Sequence, residues 1–173
     1  MIVFTVSALS LAIIAVNSVA AVQYNGYSST VECSGASFGC NDNGGLCCGP
    51  FPTGFGESAE FINLPAGTQG QGYTGSTCGA FLFSLFGPGT KCFNSGGGTP
   101  FTHLNWFHSA GRAATESDAV STQCAQPNVF TYADGTGVER TIKVPTSVNA
   151  SEAIAALYLV KNFDVLAAYE ATV

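Results

Sequence analysis

Val129-Phe130-Thr131-Tyr132-Ala133, Asp134-Gly135-Thr136-Gly137 and Val138-Glu139-Arg140-Thr141-Ile142-Lys143-Val144 read in succession as strand, turn and strand. The first run is made of β-branched and aromatic residues, which suit a pleated, half-buried surface. In the second, Val138, Ile142 and Val144 share one face with Arg140, while Glu139, Thr141 and Lys143 share the other. Two such runs around an Asp-Gly turn are a strong short-range hairpin signal, and they predict an antiparallel sheet.

Upstream, eighteen of the 21 glycines fall between Gly26 and Gly98, interleaved with Phe and Tyr. Short apolar runs alternate with clusters such as Asn41-Asp42-Asn43-Gly44-Gly45 and Gly87-Pro88-Gly89, the punctuation of strands joined by turns. Glu60-Phe61-Ile62-Asn63-Leu64, ended by Pro65, is one candidate strand. Ala80-Phe81-Leu82-Phe83-Ser84-Leu85-Phe86 has apolar residues on both faces, which predicts a central strand covered on both sides. Beyond Pro145 the period changes: Ile154, Leu157 and Tyr158, then Leu166 and Tyr169, recur at three and four residues. Asn149 and Glu152 are placed as an N-cap and its reciprocal partner, with a break at Lys161-Asn162. The expected fold is β-rich (α+β): a disulfide-stapled antiparallel sandwich or barrel over 22–144, with a C-terminal hairpin, and one or two short helices over 149–171.

Seven cysteines, Cys33, Cys40, Cys47, Cys48, Cys78, Cys92 and Cys124, point to an oxidising compartment. Adjacent Cys47 and Cys48 are poorly placed to bond each other, so each is expected to reach a different partner and tie one turn to two parts of the β region. Six of the seven form three bridges and one is left over; which one is open at this level. The leftover thiol is a buried bystander, a dimer bridge giving a disulfide-linked dimer rather than a monomer, or a nucleophile beside a histidine.

Residues 1–20 carry no charged side chain, an apolar stretch at Leu11-Ala12-Ile13-Ile14-Ala15-Val16, and a small-x-small end at Ser18-Val19-Ala20. This is the pattern of a secretory signal peptide, and cleavage after Ala20 leaves a single secreted domain, 21–173, with no membrane segment. The net charge of −6 argues against nucleic acid or anionic lipid as partner. Between Phe61 and Gly111 the only charged side chain is Lys91, apart from two histidines, so this region is either core or a surface that meets something other than water. Its aromatic residues Phe81, Phe83, Phe86, Phe93, Phe101 and Trp106 are a candidate contact surface, set against the simpler reading that they are the core.

Both histidines lie in Phe101-Thr102-His103-Leu104-Asn105-Trp106-Phe107-His108, followed by Arg112 and Glu116. Two imidazoles, a guanidinium and a carboxylate can move protons and hold a phosphate, and the segment is loosely similar to the first histidine motif of secreted acid ribonucleases. The proline after tryptophan and the second motif of that family are missing. His103 and His108, five apart, fall on opposite faces of a strand, so no metal site is read from them and no cofactor is implied. Asn149-Ala150-Ser151 is the one glycosylation sequon.

From Val31-Glu32-Cys33-Ser34-Gly35 through Cys78 and Cys92 to Phe163-Asp164-Val165-Leu166-Ala167-Ala168-Tyr169, the chain resembles uncharacterised small secreted cysteine-rich proteins of fungi. The resemblance implies secretion and a disulfide core, and brings no catalytic residues. Phe61-Ile62-Asn63-Leu64-Pro65 leading to Gly72-Tyr73-Thr74 and Phe81 is faintly similar to a Greek-key motif of βγ-crystallin-like proteins, without that family's calcium signature. The cysteine doublet is similar to those of fungal hydrophobins, which have eight cysteines in two doublets. The function expected is therefore binding or surface interaction, with a protein or a cell-wall glycan as partner. A ribonuclease-like hydrolase and a cell-surface coat protein are the alternatives.

Overall fold

The computed structural model describes residues 21–29, 32–108 and 124–170. The expected signal peptide, Arg112 and Glu116 lie outside them.

Among the described residues nine strands and two helices follow in order: β1 (Val22–Tyr27), β2 (Ser37–Asp42), β3 (Ser58–Leu64), β4 (Thr68–Thr74), β5 (Ala80–Phe86), β6 (Gly89–Asn94), β7 (His103–His108), β8 (Val129–Ala133), β9 (Glu139–Lys143), α1 (Ala150–Leu159) and α2 (Phe163–Glu170). They form a six-stranded sheet in the order β6-β3-β1-β2-β8-β9 and a three-stranded sheet in the order β5-β4-β7. Every paired neighbour is antiparallel. The expected β-rich, disulfide-stapled sandwich is what the chain adopts.

Period-two alternation builds the core. Val22 and Tyr24 of β1, Phe38 and Cys40 of β2, Ala59 and Phe61 of β3, and Phe130 and Tyr132 of β8 are all buried. Leu104 and Trp106 of β7 and Phe83 of β5 meet them from the smaller sheet, which is how two inner faces make a sandwich core. The sheets come close where β4 has no side chain: a Cβ on Gly70 would meet the Phe61 ring of β3 at 2.5 Å, while one on Gly72 would overlap the ring of its own cross-strand partner, Phe83. The predicted hairpin is present. Its turn is closed by Gly137 N–H to Asp134 O at 2.9 Å, with Gly137 at φ 81°, the left-handed position of a bulged hairpin turn.

Two local expectations are corrected. Among the described residues β5 is an edge strand, paired only with β4, and Phe81 and Phe86 are more than half exposed. Its apolar residues on both faces had predicted a central strand. Sequence alternation gives the faces of a strand and not its neighbours. Asn149 stands at the start of α1 with φ 65°, and its side chain makes no capping bond. A capping residue ordinarily has extended backbone, and in the left-handed region Asn149 does not make the bond, so the expected capping box does not form. The helix break falls as read, with Lys161 at φ 56° between α1 and α2.

Candidate functional site

Three bridges are closed: Cys33–Cys92, Cys40–Cys48 and Cys47–Cys78. The doublet does reach two partners. Cys48 is tied to β2 of the large sheet, and Cys47 to the loop between β4 and β5 of the small one. Cys124 is the free thiol.

The histidine motif is not brought together as a proton-moving pair. His103 is buried and His108 exposed at the two ends of β7, and five residues along a strand place them on opposite faces. Of the six aromatic residues, Phe83, Phe101 and Trp106 are buried, and partly buried Phe93 packs against them, stacked on Phe83 at 3.7 Å. They are core; only Phe81 and Phe86 remain as surface. Asn149 is exposed and its side chain makes no cap bond, which leaves the sequon amide open to solvent.

His103 instead stands beside sulfur. A ring nitrogen of His103, Cys47 Sγ and Cys124 Sγ lie within 4.8 Å of one another, and the two sulfurs are 2.6 Å apart. The backbone sets this up: Ala125 N–H donates to Cys47 O and Gly49 N–H to Ala125 O, both at 2.8 Å. Gly49 is required here, because a Cβ would overlap the His103 ring. Burial holds the imidazole below its ordinary pKa and the Cys124 thiol above its own, the latter opposed by a hydrogen bond from the Cys78 N–H. Since Cys47 is spent in a disulfide, only two donors remain among the described residues, too few for a tetrahedral metal site.

A second feature was not singled out from sequence. The outer face of the six-stranded sheet forms a groove of about 420 Å³. Gln23, Asn25 and Tyr27 of β1 line it with Ser37 of β2, Thr131 of β8, and Glu139 and Thr141 of β9; Ile62, Val129 and Gly35 complete it. These are the residues that alternate with the core set, so period two in β1 and β9 was the available signal. The polar groups are linked. Tyr27 OH donates to Glu60 Oε2 at 2.6 Å, Gln23 Nε2 donates to Asn25 Oδ1 at 3.2 Å, and the Tyr27 oxygen also bonds Asn25 and Ser37. Gly39 leaves the space that the Asn25 amide fills. Burial, and then the neighbouring carboxylate, raise the Tyr27 pKa well above the ordinary range, so its phenol stays a neutral donor.

No curated protein and no solved structure matches this chain. Residues 23–128 match the family model ARB_05566_N, described as an N-terminal domain. The match covers more than half of the chain and every cysteine, and stops just before β8. The chain belongs to the ARB_05566_N N-terminal domain family.

Proposed function

We propose that the protein is a secreted binding domain whose large sheet holds a neutral cell-wall glycan across its outer face. The observation that carries this is the groove on that face, about 420 Å³ and lined by amides, hydroxyls and a phenol with no cation among its lining residues. A sugar hydroxyl both donates and accepts, and amide and hydroxyl side chains answer in kind. An anionic ligand would meet Glu139 at the rim, Glu60 behind Tyr27, and a chain with net charge −6. An extended peptide would gain little main-chain pairing there, because β1, β2 and β8 each have strands on both sides. Secretion is supported by the three bridges and the apolar N-terminus. Binding rather than proton transfer is supported by the separation of His103 from His108.

The test is retention on insoluble β-glucan and chitin, followed by titration with soluble oligosaccharides of whichever is retained. Retention should persist at high salt, since a neutral ligand gains nothing from long-range charge. Gln23→Ala and Thr141→Ala should each weaken it roughly fivefold, from a hydrogen bond worth about 1 kcal/mol. Absence of retention on any neutral polysaccharide, or equal retention by a chain carrying both Gln23→Ala and Thr141→Ala, removes the reading.

A further inference from the structure

We infer that Cys47, Cys78, Cys124 and His103 form a thiol–disulfide exchange site, in which one bridge is shared among three sulfurs. Cys124 Sγ lies 2.6 Å from Cys47 Sγ, which is bonded to Cys78. The free thiol is thus in contact with one sulfur of an existing bridge, the placement that attack on a disulfide requires. His103 is the second, independent feature. Its Nδ1 is engaged with Thr102 Oγ1 at 2.9 Å, while its Nε2 is buried without a hydrogen-bond partner among the described residues. An orphaned buried nitrogen is costly in a fold unless something uses it. With one ring nitrogen taken by Thr102, Nε2 is the acceptor left for a thiol proton within this cluster.

The step balances without an external oxidant. The Cys124 thiol gives its proton to His103 Nε2, and the thiolate attacks Cys47 Sγ. The Cys47–Cys78 bond breaks, its electron pair leaves on Cys78 Sγ, and that sulfur takes the proton from His103. The products are a Cys47–Cys124 bridge and a Cys78 thiol. Neighbouring backbone supports both pairings: the Cys78 N–H bonds Cys124 sulfur, and Ala125 is hydrogen-bonded to the doublet from Cys47 O to Gly49 N. The consequence is a change in accessibility. Cys124 is half-buried, whereas Cys78 is 1% exposed. Exchange therefore moves the free thiol from a place that an external thiol or disulfide can reach to one that it cannot. The site is remote from the groove in its residues and does not depend on the glycan reading.

The experiment uses the full secreted chain, acid-quenched, alkylated and mapped without reduction. Both Cys47–Cys78 and Cys47–Cys124 peptides are expected; Cys47–Cys78 alone, with all thiol on Cys124, overturns the proposal. The Cys78→Ser chain should fold with a Cys47–Cys124 bridge and no free thiol, while two alkylatable thiols at Cys47 and Cys124 would count against it. In that same background, the bridge opened by a dithiol and treated with an aromatic disulfide should release two chromophore thiols, the second by ring closure. His103→Gln should slow that second release tenfold or more, and an unchanged rate would remove His103 from the step.

Discussion

Asp42 accepts hydrogen bonds from Trp106 Nε1 and from the Gly44 N–H, each at 2.7 Å, and from the Tyr24 hydroxyl. In the sequence it is one letter of an Asn/Asp/Gly turn cluster; in the fold it satisfies the polar ends of two buried aromatic rings. Asp42→Ala should cost about 3 kcal/mol, since bonds to a charged acceptor are worth more than neutral ones, and a lower urea midpoint at unchanged slope would register it. Asp134 plays the corresponding part in the hairpin turn, accepting from Thr136 Oγ1 at 2.6 Å, Thr136 N at 2.8 Å, Val138 N at 3.1 Å and Arg140 Nε at 3.1 Å. Its pKa is held well below the ordinary 3.8, first by the Thr136 hydroxyl. A carboxylate depressed by folding contributes stability that is present above its unfolded pKa and lost as pH falls through about 4 towards the folded value. Asp134→Asn should flatten that acid limb of the stability curve and lower its plateau at neutral pH, measured by thermal melts from pH 2 to pH 7. Such roles are not legible from composition, because an Asp in a turn looks the same whether or not distant donors converge on it.

At the scale of elements, the Cys33–Cys92 bridge joins the β1–β2 loop to the edge strand β6 across a sequence separation of 59 residues. Cys92 is exposed and Cys33 only partly buried, so little packing is lost with the bridge. Cys33→Ala with Cys92→Ala should then cost about 4 kcal/mol through the freed unfolded chain, visible as a drop in thermal midpoint with near-native spectra. β4 shows why glycine runs through this half of the chain. Gly72→Ala would drive a methyl into the Phe83 ring, and the Phe83–Phe93 stack behind it, at a cost of about 1 to 3 kcal/mol. The alternation of β8 and β9, the strand ending at Pro65 and the break at Lys161 were readable because each is a local pattern. The edge position of β5 was not, since it depends on β6 pairing with β3 in the other sheet.

Across the whole molecule, the Cys47-Cys48 doublet is the joint between the sheets. Cys48 pairs its backbone with Leu104 of β7 and with Ala125, while its sulfur is tied to β2. Cys47 is tied to the loop after β4. Reduction should therefore loosen the small sheet against the large one before either sheet melts internally, and hydrogen exchange would show protection lost first at Cys48 and Leu104 amides. The groove and the sulfur cluster both arise at this scale. The groove collects residues of β1, β2, β8 and β9, and the cluster brings Cys47, His103 and Cys124 together from positions up to 77 residues apart. By itself, the amino-acid sequence determined the antiparallel β character, the hairpin, the helical tail and the need for each doublet cysteine to find its own partner. Periodicity, turn chemistry and disulfide geometry act over a few neighbouring residues. Only the tertiary structure decided which thiol stays free, which histidine is buried beside it, and which polar face becomes concave, because these depend on strand order and on how two sheets meet.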